Sequence, residues 1–183
     1  LFSPEDTNLK PIFTNFLRAI RLIAGIITLL LPGLYIAVTS FHQEILPTEL
    51  LFSILSAREN VPFPMIFELL LMEFSFELIR EAGLRVPSPI GSTIGIVGAL
   101  ILGDAAVNAG IVSPILIIVV AITGISSFAI PDFSFGFHLR VFRFIFIVLG
   151  FTAGFLGIGT GLFVYLTLLC SLILLIWGLR LFA

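Results

Sequence analysis

Of the 183 residues, 59% are apolar and only 11% are charged, and the mean hydropathy is +1.23. An average soluble domain is about a quarter charged, and a single soluble core of this size cannot hide so much apolar surface. The composition is that of a membrane protein. Nine Lys and Arg against eleven Asp and Glu give a formal charge of −2, which excludes a basic surface for nucleic acid. The single Cys170 excludes an internal disulfide or a cysteine-based metal cluster, and His42 and His138 alone cannot make a multi-histidine site.

The chain opens Leu1-Phe2-Ser3-Pro4-Glu5-Asp6 without an initiator Met and reads as a piece of something longer. No signal peptide is expected, because the first apolar run starts late and lacks a small-x-small cleavage site. Uncharged stretches set the candidate spans, since a bilayer core needs about 20 apolar residues in a helix. The first is Leu22–Phe41, with a kink expected at Pro32-Gly33. The loop from His42 to Val61 is expected to carry a short surface helix after Thr48.

Pro62–Gly83 is apolar overall yet carries Glu68, Glu73, Glu77, Arg80 and Glu81. On a helical projection with Glu68 at zero, Arg80, Glu73, Glu77 and Glu81 fall at roughly 120°, 140°, 180° and 220°. Four charges then share one face and Glu68 stands opposite. Such a helix either lies in the interface or spans while lining a polar cavity. Pro89–Gly103 follows, a shorter apolar segment whose Gly91, Gly95 and Gly98 suit close helix packing. Asp104–Gly110 is read as a link, then Ile111–Ile130 as a dense apolar span with Pro114 in its first turn. Asp132–His138 is the next link. Phe144–Leu179 is about twice the length one span needs, and Gly157, Gly159 and Gly161 lie where a hairpin turn would fall.

Basic residues choose between the two readings of Pro62–Gly83. If it spans, Lys10, Arg18, Arg21, Arg80, Arg85, Arg140, Arg143 and Arg180 share one side and only Arg58 lies on the other. The positive-inside rule therefore favours an all-α polytopic protein of about six transmembrane helices with both ends cytoplasmic. Helices are expected at 16–41, 63–83, 89–104, 111–130, 139–157 and 160–179.

The acids are the strongest chemical signal, because charge near the bilayer centre needs water or a partner. Glu77–Arg80 and Glu81–Arg85 can pair locally, and Arg80, Glu81 and Arg85 suit the cytoplasmic interface. Glu68, Glu73 and Glu77 are the candidates for lining a hydrated path that attracts cations. Glu73 leads, having no base at i+3 or i+4. Asp104 reads as a loop acid or turn cap, with a place at a pore mouth as the sharper option. It does not make an aspartyl protease: Ile101 stands where a second glycine is required, and Asp132 follows a proline. No phosphate loop, nucleophile–base pair or metal spacing is present, so no enzyme activity, cofactor or metal is expected.

Beginning at Ala57-Arg58-Glu59-Asn60-Val61-Pro62-Phe63-Pro64, the sequence resembles the A-subunit membrane domain of GerA-type spore germination receptors. The similarity continues through Leu71-Met72-Glu73, Phe76-Glu77-Leu78-Ile79-Arg80-Glu81-Ala82-Gly83, Pro87–Gly91 and Ile96-Val97-Gly98-Ala99-Leu100. Gly103-Asp104-Ala105-Ala106-Val107, Ala109–Pro114, Ser127-Phe128 with Pro131, and Arg140 with Arg143-Phe144 look similar as well. The resemblance implies a nutrient receptor subunit in the inner membrane of bacterial spores. It also implies a homo-oligomeric, ligand-gated ion pore working with a permease-like B subunit and a lipoprotein C subunit. Residues 1–13 would then end a soluble region or linker, and 14–183 would be the transmembrane domain. The family's Ser-Phe-Gly-x-Pro-type ending is replaced here by Ile173-Leu174-Leu175-Ile176-Trp177-Gly178-Leu179-Arg180. The competing readings are a secondary transporter with a midplane site at Glu68 or Glu73, weakened by the absence of paired inverted halves, and a non-conducting receptor scaffold.

Overall fold

The computed structural model describes residues 11–85, 98 and 101–182, and every regular element among them is helical. In chain order these are α1 (Pro11–Phe41), a 3-10 turn (Gln43–Ile45), α2 (Thr48–Arg58), α3 (Met65–Arg85), α4 (residues 101–108), α5 (Pro114–Phe128) and α6 (Phe133–Phe182).

Local chemistry sets the boundaries. Pro64 accepts from the Phe67 and Glu68 amides and starts α3. Helix α4 ends in a Schellman turn: Gly110 has φ +66°, its amide donates to Val107 and the Ile111 amide to Ala106. Ser113 caps α5, its hydroxyl accepting from the Leu116 amide at 3.4 Å, with Pro114 in the first turn. Asp132 caps α6 by accepting from the Phe135 amide at 2.7 Å.

Two expected links are therefore helix. Asp104 lies inside α4 and is exposed, and His138 lies in α6 with Nδ1 2.7 Å from the Ser134 carbonyl. The expected span 111–130 shortens to α5, because Ser113 and Pro114 start it late. Helix α1 begins earlier than expected and runs on through Pro32.

Helix α6 contains one residue with non-helical dihedrals, Gly154, at φ +59° and ψ −135°. Only glycine adopts that conformation without strain. The chain reverses there: the Phe142 and Tyr165 rings meet at 4.8 Å, and a Cβ on Gly161 would press on Leu149 and Phe146. The expected hairpin is present, but its turn is Gly154 and not the 157–161 glycines. Gly161 instead lets the two arms approach.

Contacts fix the helix directions. Helix α1 runs beside the first arm of α6, with Gly25 at Leu139, Gly33 at Phe146, and the His42 ring on Phe155 at 4.4 Å. A Cβ on Gly150 would lie 2.5 Å from the Gly33 carbonyl oxygen, so the two backbones touch. Helix α3 runs the opposite way, its Met65 sulfur 2.7 Å from the Thr39 hydroxyl at the end of α1. Helix α4 returns past α3, and α5 runs parallel to α3. The resulting segments α1, α3, α4, α5 and the two arms of α6 alternate in direction. Leu69, Met72, Leu116, Val120, Ile36 and Ile147 form the buried centre. By length and composition, two helices among the described residues can cross a membrane: α1 and α6 as far as Leu172, each with mean hydropathy 2.2.

Candidate functional site: a charge-paired interior

Helix α3 is inside out by the standard of a soluble protein. Phe67, Leu71, Phe74 and Leu78 recur at i, i+4, i+7 and i+11 and are all about half exposed or more. The opposite side carries Glu68, Glu73 and Arg80, which are 1%, 0% and 7% exposed. The sequence projection set Glu68 apart from the other charges. In the fold the exposed arc is the narrow apolar stripe, so acids on both flanks of the remaining arc reach the interior.

Each of the three candidate acids meets an arginine. The Glu73 carboxylate lies 2.9 Å from Arg143 Nη2, and both side chains are fully buried. Glu77, whose side chain is 28% exposed, lies 3.3 Å from Arg140, 3.7 Å from Arg143 and 3.7 Å from Arg80. Glu68 accepts from Arg58 at 2.8 Å and from the Ser113 amide at 3.2 Å, so it holds α2, α3 and the start of α5 together. Arg80 turns toward α5: it donates to the Gly124 carbonyl at 3.2 Å and to the Ser127 hydroxyl, with the Phe128 ring 4.3 Å from its guanidinium. Gly124 matters here because a Cβ would collide with the Phe76 ring.

The Glu73–Arg143 contact is electrostatic in character. Among the described residues, neither Glu73 oxygen and no Arg143 nitrogen has an aligned hydrogen-bond partner. Burying two charges costs several kcal/mol each unless geometry and further hydrogen bonds offset it. An imperfectly aligned pair at this depth therefore adds little net stability, though removing one partner is costly.

Glu81 is exposed on α3. Its expected pairing with Arg85 lies outside the described side chains. Gly91 and Gly95 lie outside the described residues. Gly98 is helical and half-buried, and a Cβ there would touch Ile79 at 3.4 Å. Sequence reading missed Arg58, Arg140 and Arg143 as the partners of the acids. The available signal was that an ionisable residue in an apolar helix pairs with another such residue. Arg140 and Arg143, at i,i+3 beside a long uncharged run, meet that description. Among the described residues no group of three metal-ligating side chains converges.

A helical bundle with an apolar exterior and a charge-paired interior is a membrane-type architecture. Residues 1–175 match the family model described as Bacillus/Clostridium GerA spore germination protein, and the chain belongs to that family. It is 49% identical over 170 residues to spore germination protein KA of Bacillus subtilis (strain 168), covering 93% of this chain and 31% of that protein. Spore germination protein GerLA of Bacillus cereus is 47% identical over 156 residues, 85% of this chain and 32% of the relative. A Bacillus subtilis (strain 168) relative named uncharacterized membrane protein YfkQ is 45% identical over 168 residues, 92% of this chain and 33% of its own. The chain thus spans about a third of the length of these curated relatives. No solved structure matches it.

Proposed function

We propose that this chain is the membrane module of a spore germination receptor A subunit, crossing the inner membrane of the spore six times. The observation that carries the reading is the reversed polarity of α3, which places Glu73 and Arg143 inside and Phe67, Leu71, Phe74 and Leu78 outside. Unpartnered apolar surface of that kind is stable against lipid or another membrane helix, and charge at that depth is stable only when paired. Alternating helix directions support the same count: α1, α3, α4, α5 and the two arms of α6 run in opposite senses in turn. Residues 1–13 lead in from a soluble region that the longer relatives have room for.

The module assembles with copies of itself into a ring, and nutrient binding to a permease-like B subunit, with a lipoprotein C subunit alongside, opens a cation path between copies. The interior of one protomer is filled by Leu69, Leu116, Ile147 and the ion pairs, which favours a path at subunit boundaries. Glu68 and Glu73 are held by arginines inside the resting protomer. Glu77 and Asp104 keep exposure and are the acids able to meet such a path, and Gly98 lets its segment pack close to Ile79 of α3. Neutralised acids equally favour a second reading, a non-conducting scaffold. The complete subunit, reconstituted in liposomes with its partner subunits, separates the two. Cation flux that Glu77→Gln reduces several-fold at matched protein level supports the pore, and absence of any flux, with assembly intact, supports the scaffold.

A further inference from the structure

Three arginines converge on one carboxylate. Glu77 lies 3.3 Å from Arg140, 3.7 Å from Arg143 and 3.7 Å from Arg80, and the other acid of the cluster, Glu73, takes Arg143. The cluster thus sets three guanidiniums against two carboxylates, an excess of one positive charge. Glu81, the next acid along α3, is exposed and already partnered. The guanidiniums also have donors to spare: among the described residues the buried Nε of Arg80, of Arg140 and of Arg143 has no hydrogen-bond acceptor. Spare donors combined with spare positive charge call for an anion.

The cluster opens to the exterior at Glu77, whose side chain is 28% exposed. Arg140 stands at this opening, its guanidinium 5.6 Å and 5.7 Å from the Phe133 and Phe137 rings. The exposed residues beside it are apolar: Phe74 and Leu78 flank Glu77, and Phe137 and Val141 flank Arg140. Within one turn of Glu77 begins a groove of about 520 Å³, lined by Phe74, Leu71, Phe67 and Phe63 on one side and by Phe144 of α6 on the other. Glu68 also lines it, neutralised by Arg58. Glu77 and Phe67 are ten residues apart, about 15 Å of helix, which is half of the roughly 30 Å hydrocarbon core. A recess with excess positive charge therefore continues into an apolar groove as long as one leaflet is deep.

We infer that this is a site for one anionic phospholipid, with its phosphate on Arg140 at the mouth of the cluster and an acyl chain along the α3 groove. Basic pockets between membrane helices are suited to anionic headgroups, and the guanidinium fork matches phosphate oxygens. Arg80 and Arg143, buried behind Glu77, add a field that the two carboxylates do not cancel. A zwitterionic headgroup brings its own cation into that field and gains less from it. The site rests on the membrane reading, but it needs only that this face of α3 meets lipid.

Native mass spectrometry tests it on the complete subunit, released from micelles that carry phosphatidylglycerol and phosphatidylcholine in equal amounts. The unaltered protein should retain one phosphatidylglycerol per subunit, several-fold more often than phosphatidylcholine. Arg140→Gln should abolish that preference, and it should still fold because Arg80 and Arg143 remain beside Glu77. Glu77→Gln raises the excess to two positive charges and should strengthen retention, whereas a cluster that only holds the helices together gains no lipid from it. Leu71→Trp obstructs the groove without altering charge and should lower retention. Equal retention of the two lipids by the unaltered protein and by Glu77→Gln overturns the proposal, as does a preference that survives both Arg140→Gln and Leu71→Trp. Uptake of added inorganic phosphate in place of lipid, or a lipid-free dimer, also overturns it. Thiol labelling from either side of sealed vesicles reads the crossing of α3 separately. Opposite-side labelling without lipid preference rejects the site and keeps the span, and preference with same-side labelling keeps the site and rejects the span.

Discussion

Neutralising Arg143 leaves the Glu73 carboxylate fully buried with no other arginine within ion-pair distance among the described residues. Breaking such a pair costs about 3–5 kcal/mol, whereas neutralising both members costs much less. Arg143→Gln is therefore expected to lower the stability of the detergent-purified protein by that amount, and Arg143→Gln with Glu73→Gln to recover most of it. A double-mutant cycle on thermal unfolding measures the coupling. Glu68 behaves differently because the Ser113 amide still donates to it when Arg58 is removed, so Arg58→Gln costs less than Arg143→Gln. At Gly154 the cost is in the backbone. An alanine at φ +59° and ψ −135° carries about 1–3 kcal/mol of strain, and its Cβ would lie 3.0 Å from the His42 ring. Gly154→Ala should lower thermal stability, and adding His42→Ala should not restore it, since the backbone strain remains.

Among the elements, glycine contacts distinguish two kinds of position on α6. Gly150 meets the Gly33 backbone, whereas Gly159 has nothing within 4 Å. Gly150→Ala must push α1 from α6 and should cost about 1–3 kcal/mol. Gly159→Ala should leave the isolated protomer unchanged or stabilise it by up to about 1 kcal/mol through helix propensity. Parallel melting curves of the two variants check both expectations. The elements themselves were largely legible: α1, α3 and the surface helix α2 follow from apolar runs and their flanking turns. The start of α6 was not, because the Asp132 cap requires knowing that a helix follows Pro131 directly. Its turn was misplaced because several glycines compete within a few residues, and only tertiary contact assigns one to the reversal and the others to packing. The acids of α3 were visible in sequence, but their partners lie on a distant helix. Helical phase alone does not reveal which arginine a carboxylate will face.

For the whole molecule, composition already pointed to a membrane setting, and the distribution of basic residues is the reason to expect that Pro62–Gly83 crosses with the other spans. The fold adds alternating helix directions and the reversed polarity of α3, and both bear on whether α3 is embedded. The claim is most directly tested by single-cysteine labelling with a membrane-impermeant thiol reagent in sealed vesicles, in a Cys170→Ser background. Gln43→Cys before α2 and Ala82→Cys near the end of α3 are both exposed positions. Labelling of the two from opposite sides of the vesicle is the result expected when α3 crosses the bilayer. Labelling of both from the same side would contradict it.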